Sequence, residues 1–247
     1  MRKEQIVLNN LVFMNDHEKG MQQLEMLKKA VSFGVSSVEL RREYFDDIIK
    51  ETPAIAQYAA DNKVRLFYSV PDEVFVDHRL NPKLSQYYDE ALALGIYAIK
   101  FNIGDFETLS SEDVSELSQL LTRGIQTNIE NDQTQVSGKI NAIEKFMSAV
   151  TENNLDIRYV YDMGNWRYVG EDEVLAAEKL AQYVRYIHVK DDQGHGDNLV
   201  TVPLNEGDIA WQSILNILPS NVPVAVEYPT VNDKVIQDGV QALAMFN

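Results

Sequence analysis

Eight short apolar runs, rich in β-branched residues, recur along the chain with room for a helix between neighbours. They are "IVLNNLVF" (6–13), "SSVELR" (36–41), "VRLFYSV" (64–70), "YAIKFNI" (97–103), "GIQTNI" (124–129), "LDIRYVYD" (155–162), "VRYIHVK" (184–190) and "VPVAVEYP" (222–229). The segments between them space apolar residues three and four apart, as amphipathic helices do. "EKGMQQLEMLKKAVSFG" sets Met21, Leu24, Leu27, Ala30 and Val31 on one face, with Gly34 as its stop. "SSEDVSELSQLLTRG" opens with serine and acidic residues, which suit a helix N-terminus. Strands alternating with helices imply a parallel sheet with crossover helices. Eight such units in 247 residues predict a closed (β/α)8 TIM barrel, a single α/β domain over residues 1–247. The rival, an open doubly wound sheet, usually carries a glycine-rich phosphate loop, and neither GxGxxG nor GxxxxGK[ST] occurs.

Composition narrows the function. The chain has no cysteine, which removes disulfides, iron–sulfur clusters and thiolate zinc sites. Its net charge is −16, and the basic pairs Lys28–Lys29 and Arg41–Arg42 are too small to make a nucleic-acid footprint. No nucleic acid or membrane partner is expected. There is no apolar run of about 18 residues and no signal-peptide pattern, so a cytoplasmic address is expected. The oligomeric state is left open, and a homodimer is compatible with the chain.

A barrel works at the C-terminal ends of its strands. Glu130, Asp162, His188 and Glu227 each stand where one of the last four apolar runs gives way to a loop. A lone histidine in a strand is usually a hydrogen-bonded core residue, and a lone carboxylate often caps a helix. Four in succession point instead to one divalent cation, which would neutralise three crowded carboxylates. Oxygen-rich ligation with one imidazole suits Mn, Mg or Co, and Zn is also compatible.

The ordered set, with spacings of 32, 26 and 39 residues, resembles the metal site of the xylose isomerase-like sugar isomerase/epimerase superfamily. "IEND", "YDMGNW", "HVKD", "VPLNEGDIAW" and "SSVELRREY" resemble its local signatures. The resemblance spans the chain. It implies a metal-dependent isomerase or epimerase of a sugar, sugar phosphate or polyol. Glu130 and Glu227 would bind the metal and transfer protons through an enediolate, with Asp162 and His188 as further ligands and a partner fixing the other nitrogen of His188. A dehydratase of a keto-polyol is the second reading. An abasic-site endonuclease and a non-catalytic metal- or sugar-binding protein are readings of other classes.

Further residues are candidates for the substrate. Glu39 and Arg41 close the second strand, where an exposed ion pair is the alternative. Lys100 and Asn102 share a strand face, as do His188 and Lys190. Asn165, Trp166 and Tyr228 follow site residues closely, and the two aromatics are read first as ordinary packing and second as walls of the pocket. His195 lies in "DDQGHGDN", as part of a lid or simply on the surface. The chain departs from many relatives in having Asn165 where they carry histidine, Val136 where some carry glutamate, and no arginine after the seventh strand.

Overall fold

The computed structural model describes residues 1–246. Eight strands close into a parallel barrel: β1 Ile6–Asn9, β2 Ser37–Arg41, β3 Arg65–Val76, β4 Ala98–Gly104, β5 Gln126–Glu130, β6 Ile157–Asp162, β7 Val184–Val189 and β8 Val224–Val226. Each pairs with the next, and β8 returns to β1 through Ile6↔Val224, Val7↔Ala225 and Leu8↔Val226. The outer layer holds α1 Gln23–Ser32, α2 Ile48–Asp61, α3 Leu84–Leu94, α4 Ser111–Leu121, α5 Ile140–Glu152, α6 Glu173–Leu180, α7 Trp211–Ile217 and α8 Asp233–Met245. This is the (β/α)8 architecture expected from the alternating pattern. Among the described residues, no helix is long and apolar enough to cross a membrane.

Strand alternation sorts the core into two parts. Val7, Phe67, Ala98, Val160, Tyr186 and Ala225 pack together inside the barrel, while the larger cluster fills the space between strands and helices. Side chains two residues further along a strand point the same way. From those six positions that step leads to Asn9, Ser69, Lys100, Asp162, His188 and Glu227, so an apolar floor lies directly beneath a polar layer.

Several boundaries differ from the sequence pattern. The first strand stops at Asn9 because the Asn9 side chain accepts the Leu11 N–H and turns the chain into a 3-10 helix over Asn10–Phe13. The third strand continues past Val70 to Val76 and pairs with Arg79–Leu80. Asp77 and His78, both at positive φ, form the intervening turn. In α1 the buried stripe is Gln23, Met26, Leu27 and Ala30, with Leu24 and Val31 only half-buried. The helix begins after Gln22, whose capping box with Glu25 fixes that start.

Gly104 ends β4 at φ 79°, and a Cβ there would lie 2.0 Å from the Phe75 carbonyl oxygen. Gly104→Ala is expected to destabilise the protein by roughly 1–3 kcal/mol, measured by urea unfolding. An unchanged midpoint would mean that the hairpin shifts freely.

Candidate metal centre

The ends of β5, β6, β7 and β8 bring Glu130, Asp162, His188 and Glu227 together. One ligating atom from each lies within 4.8 Å of all the others, and all four residues are buried. His188 Nδ1 is 2.6 Å from Glu130 Oε1 and 3.1 Å from Glu227 Oε2. Asp162 uses Oδ1 to accept the backbone N–H groups of Gly164 and Asn165 at 3.0 and 3.1 Å, which turns Oδ2 toward the cluster. Glu130 Oε1, Asp162 Oδ2 and His188 Nδ1 are buried and make no aligned hydrogen bond. Buried polar atoms are rarely left so. Three of them converging with a further carboxylate is a donor set that fits a divalent cation.

Basic side chains crowd the same carboxylates. Lys100 Nζ pairs with Glu130 Oε2. Lys190 Nζ lies 2.6 Å from Asp162 Oδ2 and 3.1 Å from Glu227 Oε2. Arg41 Nη1 and Asn9 Nδ2 donate to Glu227 Oε1 at 3.1 and 3.0 Å. Lys190 is held in place by its stem, since a Cβ at Gly164 would lie 2.6 Å from its Cγ and Cδ.

Burial and charge pull the acids apart. Burial alone would raise all three carboxyls. At Glu130 the charges of Lys100 and His188 outweigh it and hold the group at about 2. At Glu227 His188, Lys190 and Arg41 do the same and hold it well below the usual carboxylate range. Asp162 goes the other way, to about 8, because burial and the charges of Glu227 and Glu130 outweigh Lys190. Burial disfavours the charged form of His188, but Glu227, Glu39 and Glu130 together raise it well above an ordinary imidazole.

The remaining candidates divide. Lys100, Lys190 and Arg41 reach the centre, and Arg41 is also paired with Glu43 at 2.7 Å. Asn165 stands at its edge, its amide donating to the Asn131 carbonyl and accepting from Gln133, with Lys190 Nζ 3.5 Å away. Asn102 is half-buried on the Lys100 face. Glu39 does not reach the mouth. It is fully buried beneath His188, its Oε2 bonded to His188 Nε2 and to the Tyr186 hydroxyl. Trp166 is not brought to the mouth either. It is fully buried against Tyr161, on the helix side of β6. Tyr228 follows the inward-facing Glu227 and therefore points outward, its hydroxyl seated where Gly239 has no side chain. His195 is exposed near the tip of the ribbon formed by Asp191–Gln193 and Val200–Val202. "VPLNEGDIAW" closes a loop: the Asp191 carboxylate accepts the N–H groups of Gly207 and Ile209.

Three contributors were missed: Asn9, Tyr186 and Asn131. Asn131 ties β5 to β6 through the backbone N–H and C=O of Asp162. Asn9 and Tyr186 share the inward parity of Val7 and His188, and that parity, applied to every strand, finds them both.

The family model described as "Xylose isomerase-like TIM barrel" matches residues 88–245, and the chain belongs to that family. No curated protein matches the sequence. Solved structures with the same fold include the probable 3-DHS dehydratase AsbF of Bacillus anthracis, 13% identical with a TM-score of 0.74, over 98% of this chain and 100% of that one. An IolI protein with a binding zinc atom is 13% identical, with a TM-score of 0.70 over 97% and 95% of the two chains. An L-ribulose 3-epimerase is also 13% identical, with a TM-score of 0.63 over 98% and 86%.

Removing one member of a buried ion pair costs roughly 3–5 kcal/mol. Lys190→Met is therefore expected to lower the melting temperature of the metal-free protein clearly, and added Mn²⁺ or Zn²⁺ to raise it more than in the parent. Equal melting of the two metal-free proteins would show that Asp162 and Glu227 do not need the ammonium.

Proposed function

We propose that the protein is a divalent-metal-dependent isomerase or epimerase that moves a proton beside the carbonyl of a small hydroxylated substrate. The observation that carries this reading is the convergence of four buried ligating atoms, three of them without an aligned hydrogen bond, at the C-terminal mouth of the barrel. Glu130, Asp162, His188 and Glu227 would hold the cation. When bound, it supplies Lewis-acid polarisation of a carbonyl. The zinc of the IolI structure supports zinc as one candidate beside Mn, Mg and Co.

Glu130 and Glu227 are the proposed proton-transfer groups. Glu130 ends β5 and Glu227 directly follows β8, with the ends of β6 and β7 between them around the mouth, so they face a bound substrate from different sides. Each is backed by a cation, Lys100 behind Glu130 and Arg41 behind Glu227. A hydrogen-bonded cation stabilises the ionised carboxylate, which keeps it able to accept a proton at the expense of basic strength. Asn9 adds a donor to Glu227 alone, which makes Glu130 the less constrained of the two.

A second reading, loss of a hydroxyl from a keto-polyol, is favoured by one observation. The Lys190 ammonium stands among the same carboxylates and is a cationic hydrogen-bond donor for a departing hydroxyl. The single imidazole of the cluster and the net charge of −16 favour a small molecule over nucleic acid.

Metal analysis after reconstitution with Mn²⁺, Co²⁺ or Zn²⁺ is expected to find about one ion per chain, and chelation to lower the melting temperature, because binding to the folded state alone stabilises it. Incubation of the loaded protein in D₂O with a panel of ketoses and keto-polyols is expected to place deuterium next to a carbonyl. Glu130→Gln and Glu227→Gln should each retain metal and lose about 10²–10⁴-fold in turnover. Metal content near zero with all three ions, or near-normal turnover in either variant, would overturn the corresponding half of the proposal.

A further inference from the structure

Glu39 is a buried carboxylate with no exposed surface and no lysine or arginine paired with it. Its Oε2 accepts from the Tyr186 hydroxyl at 2.6 Å and meets His188 Nε2 at 2.8 Å, while Oε1 has no hydrogen-bond partner. Both contacts cross the barrel from β2 to β7. Strand register places Glu39 opposite Asn9 on β1 and Phe67 on β3, and the Phe67 and Tyr186 rings are 4.8 Å apart. Glu39 therefore sits in the apolar floor. For stability alone, an apolar side chain of similar volume would serve as well or better there.

The geometry explains what the carboxylate does. A neutral imidazole, the form that ligates a metal, carries its lone pair on Nδ1 when it donates Nε2–H to Glu39. Nδ1 is the atom that faces Glu130 Oε1 and Glu227 Oε2 and makes no aligned hydrogen bond of its own. The Tyr186 ring meets the imidazole edge-on at 4.7 Å, so ring and carboxylate together leave His188 one orientation. We propose that Glu39 is the positioning residue of this centre, holding His188 in the Nε2–H tautomer so that Nδ1 is presented to a divalent cation, with Tyr186 anchoring Glu39 in turn.

This inference rests on the metal-centre reading above, and the experiment separates the two. Zn²⁺ affinity is measured by competition with a chromophoric chelator for the parent protein, Glu39→Gln, Glu39→Ala and Tyr186→Phe, each checked for folding by circular dichroism. Partners of this kind typically contribute 10–100-fold in metal affinity. Glu39→Ala is expected to fall toward the upper end of that range. Glu39→Gln, which keeps an oxygen acceptor but loses the charge, is expected to lose about tenfold. Tyr186→Phe leaves Glu39 on His188 and is expected to lose less than either. Nitrogen-15 NMR of the histidine ring in the Zn²⁺-loaded parent should show a protonated Nε2, and Glu39→Gln should weaken that signature even if Glu39→Ala fails to fold. If the parent binds no metal, the metal-centre reading fails. If the parent binds but Glu39→Gln matches it in affinity and in ring signature, or if Tyr186→Phe loses more than Glu39→Gln, the positioning role of Glu39 is wrong and the metal reading stands.

Discussion

Four carboxylates and four basic side chains share the buried end of the barrel, three of the carboxylates at the mouth and Glu39 beneath them, and neither set is tolerable there without the other. Glu39, Glu130, Asp162 and Glu227 are drawn from water by the closure of the barrel, as are Lys100, His188 and Lys190, with Arg41 at the margin. An unpaired charge in such a place is expensive, so the arrangement persists only because acids and bases on different strands are brought to within contact distance by barrel closure. The barrel is what makes this possible. Its two-residue strand period puts an apolar layer of Val7, Phe67, Ala98, Val160, Tyr186 and Ala225 below and the charged layer one step above.

The same period explains how much of the site was legible. Glu130, Asp162, His188 and Glu227 could be found because a polar residue ending an apolar run is a local signal, and its repetition on four consecutive strands is rare by chance. The eight-unit architecture was legible for the same reason, since alternating patterns are local. Partnership was not local. Glu39 lies 149 residues from His188, and their meeting depends on which strands stand opposite each other across the closed barrel. A sequence reading could assign Glu39 to the second strand, but it could not know that the carboxylate lies under the imidazole and not beside a substrate.

The two aromatics beside the site show the opposite effect. Tyr228 and Trp166 are close to site residues in sequence, which left a pocket wall as the second reading beside ordinary packing. Tyr228 is adjacent to Glu227, and adjacent residues of an extended chain face opposite ways. Trp166 falls in the short helical turn Asn165–Tyr168 that follows Asp162, which swings its indole outward onto Tyr161. Asn165 heads that turn and keeps its side chain at the mouth, bonded to Asn131 and Gln133. One residue therefore separates a position at the site from a position in the outer core.

Lys190 gives the centre its particular character. Its ammonium rests on Asp162 Oδ2 and Glu227 Oε2, oxygens that the proposed cation would also seek. The two are alternative solutions to one electrostatic problem, the crowding of carboxylates in a dry mouth. Metal affinity at such a site is a difference: the attraction of the ligand set for a divalent charge, less the cost of removing a buried ammonium from its partners. Gly164 sharpens that competition, because its lack of a side chain lets the Lys190 stem lie close and aims the ammonium inward. The Asn165 side-chain oxygen, 3.5 Å from the ammonium, is a further acceptor for it at the same mouth. A lysine that balances the metal-free centre would thereby remain beside a bound metal as a hydrogen-bond donor to substrate.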